Sequence, residues 1–177
     1  PLSLCDRTGR LSVPGVFSLF MDMASEHAES LGIGFAPMSE RHLFWLTVRT
    51  RVRLRRLPAL GESVTLTTWP EKAGTLRCDR DYTLAAGEEL LAAGKTEWAV
   101  LNIDTGRPHP MKDVYPEALA AILTDDTVWA DPFARIREDF SGGESFGTYV
   151  VRSTDIDVGG HMNNAAYPRM LLGAFSS

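Results

Sequence analysis

The chain has 177 residues, 44% hydrophobic and 23% charged, ordinary for a soluble globular protein with material for one large or two small domains. Its 18 basic and 23 acidic residues leave a net charge of −5 and no field for nucleic acid, whose binding needs clustered Lys and Arg in excess. Cys5 and Cys78 lack the spacing of a zinc site or disulfide framework, and no apolar run approaches the roughly 18 residues that cross a bilayer, so metal, membrane and an oxidising compartment are unexpected and a cytoplasmic location fits.

The chain opens on Pro1 with no signal-peptide pattern, and without an initiating methionine its native start is expected to lie elsewhere. Ser12 then precedes apolar residues at Val13, Val16, Phe17, Phe20, Ala24, Ala28 and Leu31, with His27 on the same stripe. That recurrence predicts a long helix with one buried face, capped by Ser12, with Pro14 in its first turn and Gly32 at its end. From Phe44 the period changes to two. Phe44, Leu46, Val48, Thr50, Val52 and Leu54 alternate with Trp45, Thr47, Arg49, Arg51, Arg53 and Arg55, a strand with one charged face. Pro58 and Gly61 break it, and strands are expected over 63–69, 75–86 and 89–103 as an antiparallel meander. Residues 115–123 suggest a short helix with Pro116 in its first turn. Pro132 and Ser141-Gly142-Gly143 mark 124–146 as an interdomain connection, after which 146–152 suggest a strand and 165–175 a helix with Pro168 in its first turn.

Sliding the chain on itself until Asp6 meets Asp157 also brings Gly9 onto Gly160 and Arg10 onto His161, and both copies run strand, D-x-x-G, cap residue, apolar helix. The expected domains are therefore 1–123, a connection over 124–146, and the beginning of a second unit over 147–177 that stops inside its helix. The later copy, TDIDVGGHMNN, carries the chemistry. Gly159 and Gly160 let backbone approach a ligand, amides at the following helix start can face a developing oxyanion, and Asp157 can hold His161 or a water. A histidine beside a helix N-terminus is biased towards the neutral form that accepts a proton, and Asn163 and Asn164 can orient substrate or loop. Asp157 and Asn163 are equally good turn and cap residues. Because Asp6 and Gly9 recur without the histidine, the shared pair is assigned to structure and His161 to what is special about the second copy.

CDRTGRLSVPGVFSLFMDMASEHA, FWLTVRTRVRLRRLPALGESVTLTTWP and the D-x-D-x-x-x-H-x-N-N segment together resemble the acyl-acyl-carrier-protein thioesterases of plants and bacteria, which hold two hotdog units in tandem. The resemblance implies an α+β tandem hotdog, each unit a long helix wrapped by a curved antiparallel sheet, the second incomplete here. It implies hydrolysis of fatty acyl-carrier-protein thioesters in fatty-acid biosynthesis, with acyl carrier protein as partner and no cofactor. The first unit would be a noncatalytic, acyl-binding copy, with Phe17, Phe20 and Met21 lining the acyl pocket, and Asp157 and His161 catalytic beside Gly159, Gly160, Asn163 and Asn164. The plant pattern has an asparagine where this chain has Gly159, and Asp157-x-x-Gly160 also matches the broader hotdog acyl-CoA thioesterases, in which that acid is base or nucleophile. An acyl-CoA thioesterase and a noncatalytic acyl-binding or regulatory module are thus the alternatives. The additional carboxylate or thiol of the plant enzymes is expected beyond Ser177.

Arg49, Arg51, Arg53 and Arg55 form a basic ladder that could steer an acidic carrier protein, although a solvated strand face that deters edge pairing is the favoured reading. His27 is expected in the core or pocket wall, and His42 and His109 lack metal-ligand spacing. Trp45, Trp69 and Trp98 are expected in core or interface, and a homodimer is compatible with an incomplete second sheet.

Overall fold

Ser12 sets the first element: its hydroxyl accepts the Gly15 N–H at 3.0 Å, and behind this cap α1 runs over Val13–Ser30. Gly32, at φ 71°, turns the chain out of the helix, a conformation that costs a residue without a Cβ nothing. A computed structural model describes residues 1–135, 141–145 and 147–175. In these, α1 is followed by α2 (Phe35–Glu40), β1 (Leu43–Leu54), β2 (Thr65–Pro70), β3 (Arg77–Ala86), β4 (Glu89–Asn102), the short β5 (Pro108–His109) and α3 (Ala166–Gly173). The strands make one antiparallel sheet in the order β1-β4-β3-β2, with β5 also on β4.

The α1 stripe Val16, Phe20 and Ala24 packs on Tyr82, Leu84, Leu91 and Ala92 of β3 and β4. Each large side chain so buried stabilises the fold by roughly 1.5–3 kcal/mol. Phe20 stacks on Tyr82 with ring centroids 4.8 Å apart and lies so close to β4 that a Cβ on Gly94 would stand 2.4 Å from its Cε2. A second cluster joins Ile33, Met38, Leu43, Cys78, Val100, Met111, Val114 and Tyr115 under the other end of the helix. Burial pushes the Cys78 thiol up to about 12, which keeps it an unreactive core group. This helix wrapped by an antiparallel sheet is the hotdog arrangement.

The strand expected over 44–55 forms, but in two phases. The register shifts between Thr47 and Arg49, so Val48 is a bulge. Before it Leu43 and Trp45 face the core, and after it Val52 and Leu54 do. Phe44 and Leu46, which simple alternation puts on the same face as Val52, are thereby turned to the opposite one. The helix expected over 115–123 is a 3-10 helix at Glu117–Ile122, and α2 has no counterpart among the expected elements. Residue 146 lies outside the described residues, and residues 147–152 are not a strand but lead into a 3-10 turn at Ser153–Asp155.

The stretch expected as a connection returns to the sheet over its described part. Trp69 Nε1 donates to the Asp126 carbonyl at 2.9 Å, Lys95 Nζ to that of Trp129 at 3.1 Å, and Glu71 bridges to Thr124 in parallel. Trp129 and Phe133 lie under the arginine ladder: Arg51 stands 4.6 Å over Trp129 and 4.9 Å over Phe133, Arg49 4.9 Å over Phe133, and Arg53 5.2 Å over Trp129. Arg49 also forks onto Glu97 at 2.9 and 3.0 Å. The ladder is therefore half-buried at Arg49 and Arg51 and exposed at Arg53 and Arg55, of which Arg55 has no aromatic partner among the described residues. Behind it Asp81 is fully buried beside Glu71 and Lys95. Burial and the neighbouring Glu71 carboxylate hold its pKa well above the ordinary aspartate value.

Candidate active site

The two segments that match in sequence fold into the same loop. A 3-10 turn at Leu2–Leu4 has its counterpart at Ser153–Asp155, and the bridge Cys5↔Leu11 its counterpart at Ile156↔Met162. Asp6 N–H donates to the Arg10 carbonyl at 2.7 Å, as Asp157 N–H does to that of His161 at 2.9 Å. Asp6 Oδ1 accepts the Thr8 and Arg10 amides at 2.8 and 3.4 Å, and Asp157 Oδ1 those of Gly159 and His161 at 2.9 and 3.4 Å. Gly9 and Gly160 take φ of 71° and 74°. The bonds of Asp157 are thus those of a loop-closing carboxylate, made identically where no histidine follows.

The side chains set on these backbones differ. Arg10 reaches away to the Leu57 carbonyl at 2.8 Å, whereas the exposed His161 ring stacks on Phe44 of β1, centroids 5.1 Å apart at 24°. Asn164 Nδ2 donates to Thr47 Oγ1 at 2.8 Å and lies 3.9 Å from Met21 Sδ. Because Phe44 and Thr47 point to opposite faces, the loop wraps around the free edge of β1. Asn163 acts as a cap: its Oδ1 accepts the Ala165 N–H and its carbonyl the Ala166 N–H, each at 2.8 Å. Those two amides, expected to face an oxyanion, are already engaged. The His161 ring and the Asn164 amide, the latter already on Thr47 and the Met21 sulfur, border the same space.

Around this loop lies a cavity of about 950 Å³ that extends from beneath α1 over the edge of β1. Phe17, Met21, Gly159, His161, Asn163, Asn164 and Asp157 are on its wall. Phe20 is not: only 1% exposed, it is spent in the stack on Tyr82. Gly160 is absent from the wall as well and serves the turn through its positive φ. Of the arginine ladder only Arg49 touches the cavity. Inside, buried Arg80 donates from Nη1 to Nδ1 of His27 at 2.9 Å, and burial together with that guanidinium keeps His27 below its ordinary pKa. No group of three His, Cys, Asp or Glu side chains that could hold a metal occurs among the described residues, and no helix among them is long and apolar enough to cross a membrane.

Sequence reasoning passed over Asp155, which stood in the motif without a role. It is 3% exposed, accepts the Tyr149 hydroxyl at 2.8 Å and the Arg152 N–H at 2.9 Å, and has Arg169 Nη1 at 3.8 Å. The Arg152 amide and then the Tyr149 hydroxyl hold its pKa below the usual value. The matching residue of the first copy is Leu4, so an apolar-to-acid difference between copies was the available signal.

The sequence model of the acyl-ACP thioesterase N-terminal domain matches residues 2–119. The chain is 27% identical to a chloroplastic acyl-[acyl-carrier-protein] hydrolase of Cuphea viscosissima, over 94% of this chain and 42% of that protein. It is 26% identical to the chloroplastic oleoyl-acyl carrier protein thioesterase of Coriandrum sativum, over 88% of this chain and 46% of that one. It thus spans less than half the length of these relatives. In structure it is similar to the 12:0-ACP thioesterase from Umbellularia californica, with a TM-score of 0.83 at 22% identity over 98% of this chain and 71% of that one. An acyl-ACP thioesterase from Bacteroides thetaiotaomicron gives 0.80 at 22% identity, over 98% and 70%. With two thirds of its length matched by one family's domain, the long capped helix and antiparallel sheet shared with solved members, and the D-x-x-G-H loop seated at a cavity, this chain belongs to the acyl-ACP thioesterase family.

Proposed function

We infer that the chain supplies the acyl-binding unit and the reactive loop of a hydrolase that cleaves fatty acyl-carrier-protein thioesters to free fatty acid and carrier thiol. The observation that carries this is the shared cavity: Phe17 and Met21 of α1 and the His161 loop line the same space, so an acyl chain held by the first would present its carbonyl to the second. The space, about 950 Å³, lies within the range of about 300–1,000 Å³ usual for pockets that enclose a small ligand.

A water beside the thioester carbonyl gives its proton to the His161 imidazole as its oxygen bonds to the carbonyl carbon. In this reading the tetrahedral oxyanion competes with Thr47 and the Met21 sulfur for the Asn164 amide, which lines the same space. Collapse breaks the carbon–sulfur bond, and the leaving thiolate takes the proton from the imidazolium. Asp157 shapes the loop. Hydrolysis of acyl-carrier protein by the full-length protein, followed as thiol release, is expected to fall at least about a hundredfold in His161→Ala, the scale of losing a general base. Wild-type turnover in that variant refutes the assignment.

Gly159 and the acid at Asp157 support a second reading, an acyl-CoA substrate for the same site. Matched acyl-CoA and acyl-carrier-protein thioesters separate the two: a higher kcat/KM on the CoA ester replaces the first reading with the second, and saturable acyl binding without hydrolysis of either leaves a binding module.

A further inference from the structure

We propose that Phe44, a residue of the first unit, is a positioning residue for the reactive imidazole: it clamps His161 and fixes the height of the loop over β1. This rests on the hydrolase reading above.

Three observations meet at this ring. Its face stacks on His161 at 5.1 Å and 24°. Its Cε2 lies where a side chain at Gly159 would begin, 2.7 Å from an ideal Cβ, with Cζ at 3.4 Å. Gly159 does not have a positive φ, so its glycine is a matter of space and not of backbone conformation. The ring is half-buried and faces the loop only because the Val48 bulge reverses the phase of β1; an unbulged strand would turn it inward and leave His161 without a support.

The imidazole has no hydrogen bond to any described side chain, so the second-residue orientation that a histidine base normally receives from a carboxylate comes here from an aromatic face. Asp157 cannot supply it through Oδ1, which the Gly159 and His161 amides occupy. Phe44 and Gly159 are therefore one interlocking unit: a larger residue at 159 displaces the ring, and a smaller residue at 44 releases the imidazole.

The test uses the full-length protein and five variants, one of them double. Phe44→Leu keeps an apolar side chain on the strand and is expected to lower kcat on the order of tenfold with KM changed less than about twofold, since a misplaced base costs rate and not binding. Phe44→Tyr retains the stack and stays within about threefold of wild type. Gly159→Ala lowers kcat by pushing on the ring, and Gly159→Ala combined with Phe44→Leu loses less than the product of the single effects, because the ring that clashed is gone. In spectra of histidine-labelled protein, the His161 ring protons shift in Phe44→Leu and hold in Phe44→Tyr. A Phe44→Leu enzyme with wild-type kcat, a loss confined to KM, multiplicative single effects, or a His161 resonance that ignores Phe44 overturns the proposal. Wild type and His161→Ala separate the two ideas: a wild-type protein that binds but does not hydrolyse removes the hydrolase reading, wild-type turnover in His161→Ala removes the imidazole from the reaction and the clamp with it, and loss in His161→Ala with an unaffected Phe44→Leu removes only the clamp.

Discussion

Replacing Gly94 by alanine tests the packing on which the cavity depends. Gly94 lies on β4 opposite Tyr82, and the added methyl would stand 2.4 Å from Cε2 and 2.7 Å from Cδ2 of Phe20. Carbon atoms in contact prefer about 3.5–4.0 Å, so the ring has to retreat by more than an ångström. It has nowhere to go: it is 1% exposed and stacked on Tyr82, which is itself fully buried. Overpacking of this kind costs about 1–3 kcal/mol, and about 2 kcal/mol lowers the melting temperature by about 4–8 °C for a chain of this size. Thermal unfolding by circular dichroism measures it. Phe20→Leu shortens the offending side chain and is expected to make the double variant more stable than the two single losses would sum to. A Gly94→Ala protein that melts with wild type, or strictly additive losses, refutes the close helix-to-sheet contact.

Thr47→Val keeps the shape of the side chain but leaves Asn164 Nδ2 without its oxygen partner; a loss of about 1 kcal/mol and a lower kcat are expected from a melt and a hydrolysis assay, and unchanged turnover removes Asn164 from the oxyanion role. Asp155 titrates below its ordinary 3.8, so the folded loop binds fewer protons than the unfolded chain; its stabilisation is present above that value and is lost as pH falls through the lower folded pKa. Asp155→Asn should therefore flatten the acid side of the melting-temperature profile, which an unaltered profile contradicts. Asp81 has the opposite sign: with its pKa raised, the folded state holds a proton that the unfolded state has released, and stability declines as pH rises from the ordinary aspartate range towards the raised one. Glu71 and Lys95 face it, so Asp81→Asn is expected to remove this decline only if Asp81 carries that proton; a decline that persists assigns it to Glu71.

Features set by short-range pattern were legible in the sequence. The Ser12 cap, the α1 stripe and the Gly32 exit need only a few neighbouring residues, and each stands where its periodicity put it. The hairpin at Gly87 and the duplicated D-x-x-G loop were equally local. What stayed hidden depends on residues far apart. Val48 bulges because β1 must satisfy both Trp45 against the core and Thr50 opposite Thr96, and alternation in one strand cannot register its partner. Residues 147–152 have strand-forming side chains but no neighbouring strand among the described residues, and a strand without a ladder is no strand. Phe17 and Phe20 sit three apart on one stripe, yet Gly94 draws Phe20 into the core while Phe17 borders the cavity. At the reactive loop the residue types were visible and their partners were not: nothing in TDIDVGGHMNN announces Phe44 or Thr47.

The cavity wall joins Met21 and Thr47 to Asn164, residues that the chain itself separates widely. A tail that fills this space can be held only while those parts are together, so occupancy and cohesion are one equilibrium. At a hundredfold excess over its dissociation constant such a guest adds about 2.7 kcal/mol to the closed arrangement. Such a guest would be mortar as well as cargo, and its departure would loosen the walls that received it.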